Sequence, residues 1–359
     1  MFEKLGKFIV KRSKLVLLSF IITTIIAGAV GSLSFGRLDS GGYSDLNSDS
    51  AKAAKYVVDV FGAEEPVAVM VVDSASSTID DPTVASTAVE IEKKIQGQKG
   101  VSKTYSYWST GGSPTMKSKD GKAGFILVYS DLDAFDWDGL GALGASLQEA
   151  FDGEYKNVHI YASGAGVITY AINHKIEKDL VLAESIAIPL TFLLLVFVFG
   201  ALVASATPLF VGVTAILGSF FIIYLLTLFT NVSVFALNLI TGLGLGLGID
   251  YALLMVNRFR EELHNGHSVE ESVVTTVATA GKTVFYSGLT VFVTMASLLF
   301  FPLEFLKSFG YAGVAVITFA VIGAVIALPA LLAVLGEKVD KGVIRKSAIT
   351  PKEDGRWAH

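Results

Sequence analysis

Apolar positions in this chain gather into six long runs, with one extended polar stretch between the first run and the second. The first run, residues 14–35 (KLVLLSFIITTIIAGAVGSLSF), is long enough to cross a hydrocarbon core of about 30 Å as a helix rising about 1.5 Å per residue. Five more follow late in the chain, at about 181–200, 203–226, 234–257, 283–301 and 308–335. The pattern predicts six transmembrane helices. The first run exceeds the ~7–15-residue core of a secretory signal and lacks an Ala-x-Ala-like end, so it reads as an uncleaved helix.

The intervening polar stretch, 36–180, is long enough to be a domain. Its pattern predicts a helix ending at Gly62, a strand (PVAVMVVD), a helix with Pro82 in its first turn, two strands (VSKTYSYW and KAGFILVYSDL), a helix (DWDGLGALGASLQEAF) and a last strand (NVHIYASG). That order, βαββαβ after the first helix, is the ferredoxin-like motif. A further helix runs from about Gly166 into the second span without a breaker. Between the fourth and fifth spans, HSVEESVVTTVATAGK opens with a capping box, Ser268 to Glu271. Val269, Val273 and Val277 share one face, which predicts an amphipathic helix at about 268–281 on the inner membrane surface.

Charge sets the orientation. Lys4, Lys7, Lys11, Arg12 and Lys14 precede the first span. With that end in the cytoplasm, Arg258, Arg260, Lys282, Lys338, Lys341, Arg345 and Lys346 also fall inside, and the two short outer loops carry only Lys307. Composition agrees with a membrane protein: 52% hydrophobic and 17% charged, against about 25% charged in an ordinary soluble domain. A net charge of −5 gives no basic stripe for a nucleic acid. The absence of cysteine excludes disulfides and thiolate metal sites. The histidines, His159, His174, His264, His267 and His359, show no ligand spacing; His264 and His267 read as solvated. Trp108 and Trp137 read as packing residues of the polar domain, and Glu184, Glu304 and Lys307 as interfacial.

One carboxylate stands out. Asp250 lies in the fourth run, about 12 Å of helix before Arg258, hence near mid-bilayer. An ionised side chain there costs roughly 2.5–3.5 kcal/mol even on a lenient scale, so it is expected to face a cavity or the bundle interior. Buried, a carboxylate holds its proton more tightly and exchanges it nearer neutral pH. Tyr251 adds a hydroxyl. Gly242, Gly244, Gly246 and Gly248 form i, i+4 pairs that let a partner helix approach. Ser287, Thr290 and Thr294 of the fifth span share a face toward which Asp250 could look, or they back-bond to their own helix. A nucleotide-binding loop is excluded because the glycine period is two and no strand precedes it. An aspartyl protease is excluded because no second span holds an Asp.

NLITGLGLGLGIDYALLMVNRFREEL, VATAGKTVFYSGLTV and PALLAVLG resemble the MMPL (mycobacterial membrane protein large) transporters of the resistance–nodulation–division superfamily. SDSAKAAKYVVDVFG also fits that family's first outer helix, and the similarity runs from the first helix to the tail. The resemblance implies export of lipids or other amphiphiles driven by the proton gradient, with no cofactor and no enzymatic reaction. It implies Asp250 and Tyr251 as the proton relay, Ser287 as a relay neighbour, and 36–180 as an extracytoplasmic porter domain. Family members carry two such halves and twelve spans. The tail at 337–359, ending GRWAH, therefore reads as the lead-in to a second half that carries a matching Asp–Tyr pair. The expected architecture is an α-helical membrane bundle of six helices: a cytoplasmic segment 1–13, helix 1 at 14–35, a ferredoxin-like porter at 36–180, and helices 2–6 within 181–336. Expected partners are membrane lipids, a hydrophobic substrate and the second half, with a homo-oligomer left open, in the plasma (inner) membrane. The rival expectation is a lipid- or sterol-binding sensor or scaffold without proton-coupled transport.

Overall fold

A computed structural model of the chain describes residues 1–42, 45, 47–62, 64–74, 77–133 and 136–344, the side chains of 173, 177 and 180 excepted. The tail from 345, with Trp357 and His359, lies outside the described residues. In chain order the elements are α1 (Phe2–Lys11), α2 (Ser13–Gly31), α3 (Asp49–Phe61), β1 (Ala68–Asp73), α4 (Pro82–Gln96), β2 (Val101–Ser106), β3 (Ala123–Ser130), α5 (Trp137–Phe151), β4 (Gly153–Tyr155) and β5 (Val158–Ser163). They continue with α6 (Ala165–Phe199), α7 (Leu202–Leu226), α8 (Ala236–His264), α9 (Val269–Ala278), α10 (Ala280–Ala296), α11 (Glu304–Ile322) and α12 (Leu328–Leu335). Contacts divide the chain into two compact units, Met1–Leu38 with Leu180–His359, and Asp39–Asp179.

In the unit Asp39–Asp179 local chemistry sets the helix ends. Ser48 caps α3 by accepting from the Ala51 N–H, and Gly62 closes it at φ +63°, a conformation glycine reaches without strain. Asp81 caps α4 ahead of Pro82, and Asp136 caps α5. The strands form one antiparallel sheet in the order β2-β3-β1-β5-β4. Alternation on β1 turns Ala68, Met70 and Val72 inward, where they meet Ile126, Val128 and Ile160 from the sheet and Ile91, Ile95 and Leu147 from α4 and α5. Trp108 packs on this core and donates its indole N–H to the Ile79 carbonyl at 3.1 Å. Gly144 on α5 meets Gly166 at the start of α6 so closely that an added Cβ would lie 2.1 Å from the Gly166 carbonyl carbon. The short strand β4, paired on the outer edge of β5, has no signature in the hydrophobic pattern.

Among the described residues six helical stretches are long and apolar enough to span a membrane: Ser13–Arg37, Ala165–Phe199, Leu202–Leu226, Ala236–His264, Val269–Phe300 and Glu304–Asp340. The sixth is not one α-helix. Between α11 and α12, Gly323–Ala327 forms a π-helical turn. Pro329 follows, with no N–H to give the carbonyl four residues back and a ring that crowds it, so the ladder widens there.

The structure adds one element and changes the surroundings of another. Within the expected cytoplasmic segment 1–13, Phe2–Lys11 forms α1, whose Leu5 and Val10 pack beside a fully buried Ile9. The helix expected on the membrane surface is present as α9 with its Ser268–Glu271 capping box formed. Its apolar face, however, is covered by protein: Val273 and Val277 are buried in the helical core and α1 lies against α9. Gly6 permits that approach, since a Cβ there would stand 3.0 Å from the Val274 Cα.

Glu90 on α4 supplies an acid-stability prediction. Hydrogen bonds from Lys156, Tyr155 and Lys94 hold its carboxyl far below the ordinary 4.5, at about 2. Lys94 Nζ stands 3.1 Å from Glu90 Oε1 and the Tyr155 hydroxyl donates to the same oxygen at 2.8 Å. A depressed carboxylate contributes stability that is complete above its unfolded value and is lost as pH falls toward its folded value. Glu90→Gln is therefore expected to flatten the loss of stability between the ordinary 4.5 and about 2, measured by tryptophan fluorescence during thermal unfolding of the full chain at stepped pH.

Candidate functional site

The site is built on α8, whose faces have different surroundings. Tyr251 is buried, 4% exposed, in a core with Ala252, Met255 and Val256 from its own helix and Ala320 and Ala324 from the sixth span. Its hydroxyl meets Ser287 of α10. It lies against Gly288 of α10, where an added Cβ would stand 3.6 Å away, with Ser287 beside it. Gly288 is itself held by the sixth span, since a Cβ there would fall 2.3 Å from Val321 Cγ2.

The four glycines divide into two pairs. Gly248 lies against Gly212 of α7, and a Cβ on Gly248 would sit 2.6 Å from the Gly212 Cα. A Cβ on Gly244 would sit 2.7 Å from Ile216 Cγ1. Gly244 and Gly248 thus make a close seam with α7, the packing that small residues four apart allow. Around Gly242 and Gly246 a Cβ would meet nothing within 4 Å. Those two lie on an exposed stripe with Asn238, Asp250 and Leu254, each four residues from the next.

Asp250 is therefore not covered by the described helices of this chain; the sequence predicts a cavity or the bundle interior for it. It makes no hydrogen bond or ion pair among the described residues. The stripe has a counterpart on α10, where Thr283, Tyr286, Ser287, Thr290 and Thr294 are exposed. Thr290 Oγ1 donates to the Tyr286 carbonyl at 3.0 Å and Thr294 Oγ1 to the Thr290 carbonyl at 3.0 Å. Both hydroxyls bond their own helix, so the structure does not bring Thr290 or Thr294 to Asp250. Ser287 is set beside Tyr251 instead.

In the sequence the far end of α8 marks only orientation, and there the structure adds residues. Arg260 is buried and reaches Asp340 at the end of the sixth span and the Phe199 carbonyl at the end of α6. His264 and His267, expected to be solvated, contact Asp340 and Glu262 respectively. Arginines two apart followed by a Glu pair are visible in the sequence, but their distant partner Asp340 is not. Among the described residues no three His, Asp or Glu side chains are placed to hold a metal ion.

Comparison with known proteins matches the model of the MMPL family over residues 43–358. The chain belongs to the MMPL family. A putative membrane protein of Streptomyces coelicolor, SCO6666, is 32% identical over 99% of this chain and 49% of its own length. The trehalose monomycolate exporter MmpL3 of Mycobacterium tuberculosis is 30% identical over 92% of this chain and 35% of its own. The mycolic acid-containing lipids exporter MmpL11 of Mycolicibacterium smegmatis is 32% identical over 53% of this chain and 20% of its own. The chain thus spans about half the length, or less, of these MMPL relatives. Family membership together with six spanning-length helices makes it a membrane protein.

The two glycine pairs give opposite predictions for this MMPL chain in detergent micelles. Gly248→Leu forces α7 and α8 apart and is expected to lose ~1–3 kcal/mol or more, whereas Gly246→Leu leaves thermal stability unchanged. Unfolding midpoints of the two variants, compared with the parent, check this.

Proposed function

We propose that this chain is the first half of a proton-driven MMPL exporter of lipids or other amphiphiles, with Asp250 and Tyr251 as its relay. The observation that carries the reading is the polar stripe of α8. A carboxylate at this depth is costly against lipid, and the glycines beside it leave room for a helix to approach. A second half bearing a matching Asp–Tyr pair would cover the stripe. Exporters of mycolic acid-containing lipids and of trehalose monomycolate among the relatives support a lipid substrate.

Basic residues at the start of the chain support a cytoplasmic N-terminus in the plasma membrane, with the unit Asp39–Asp179 outside. The sheet order β2-β3-β1-β5, antiparallel throughout, supports reading that unit as a ferredoxin-like porter. Protonation of Asp250 works by favouring one helix packing over another, and only the differential interaction energy counts. A bias of ~2 kcal/mol changes a two-state ratio about thirtyfold.

Asp250→Asn in the full-length protein is expected to lower export about thirtyfold or more with expression and membrane insertion intact, measured as lipid appearing outside cells. Undiminished export removes the relay.

A further inference from the structure

The C-terminal end of α8 carries a charge cluster that the relay does not use. Arg260 is 5% exposed; its Nε donates to Asp340 Oδ1 at 2.7 Å and its Nη1 to the Phe199 carbonyl at 3.1 Å. The guanidinium also lies 5.7 Å from the centre of the Phe199 ring. The second oxygen of Asp340 faces His264 Nε2 at 3.2 Å. Beside this set, the buried carboxylate of Glu262 contacts Arg258 and faces His267 Nδ1 at 3.0 Å. Each carboxylate is thus shared by an arginine, whose charge is fixed, and a histidine, whose charge changes in the physiological range. Both histidines line a cleft of about 350 Å³ with Ser268, Glu337 and Asp340.

The same place is a junction of backbone. The Leu202 N–H donates to the Gly342 carbonyl at 3.2 Å and the Ile344 N–H to the Gly200 carbonyl at 2.8 Å. Through these bonds the turn between α6 and α7 is tied to the chain that leaves the sixth span. Arg260 and Asp340 add α8 to that tie.

We propose that His264 and His267 are positioning residues that make this junction a pH-responsive clamp on the end of α8. Asp340 and Glu337 face His264 across the cleft, with Arg260 beyond Asp340. Glu262 and Glu271 lie within electrostatic reach of His267, while Arg258 is shared with Glu261. In both sets the carboxylates outnumber the arginine, so a proton on either imidazole relieves an excess of negative charge. It also gives a carboxylate a second charge-assisted hydrogen bond. The clamp therefore tightens as pH falls and slackens as pH rises. This does not depend on Asp250 carrying protons, and its test reads no transport.

The test is hydrogen exchange of the amides at 200–203 and 341–344, on the full chain in lipid nanodiscs, at about pH 5.8 and about pH 8, corrected for intrinsic rates. Protection about threefold greater at the lower pH is expected, and His264→Gln with His267→Gln together should hold it at one level. Protection independent of pH in the parent chain overturns the proposal, whatever the variants do. So does a pH dependence that survives the double substitution.

Discussion

An ionised carboxylate and lipid do not tolerate each other, and the arrangement of α8 follows from that. Asp250 stands on a face that the helices of this chain leave open. At mid-bilayer that face needs protein or water over it, because exposure to hydrocarbon costs roughly 2.5–3.5 kcal/mol or more. We propose that a partner outside this chain covers the open stripe, the second half of an MMPL exporter being the occupant.

The other faces of α8 supply rigidity. Gly244 and Gly248 let it lie against α7 with almost no side chain between, and Tyr251 is locked in the core against α10 and the sixth span. Adjacent positions on a helix point about 100° apart, so the two residues of the proposed relay divide the work. Tyr251 reports to the packed side and Asp250 to the open side. A change of charge at Asp250 would thus act on a helix already joined to its neighbours at the seam, and joined again at its far end through Arg260 and Asp340.

Much of this was legible in residues. Ser48, Gly62 and the Ser268–Glu271 box mark helix ends because their chemistry is local. The six spans follow from run length, and alternation on β1 follows from the pleat. Direction was harder. Glycines two apart on a helix point about 200° apart, so the sequence separates 242/246 from 244/248 without saying which pair is packed; only Gly212 and Ile216 of α7 decide it. The α1 helix was hidden by its lysines, although Phe2, Leu5 and Ile9 recur at helical spacing. The π turn at 323–327 and the Arg260–Asp340 pair depend on tertiary geometry, the latter across 80 residues of chain.

The central claim is that the Asp250 stripe faces protein and not lipid. The chain has no cysteine, so a single spin label placed in it meets no background from its own residues. Leu254, 49% exposed on the Asp250 side, and Leu193, 64% exposed on α6, make a matched pair. In the full-length protein in liposomes, a label at Leu254→Cys should be immobilised and shielded from membrane-dissolved oxygen, while one at Leu193→Cys collides with it freely. Equal oxygen accessibility at the two positions would contradict the account.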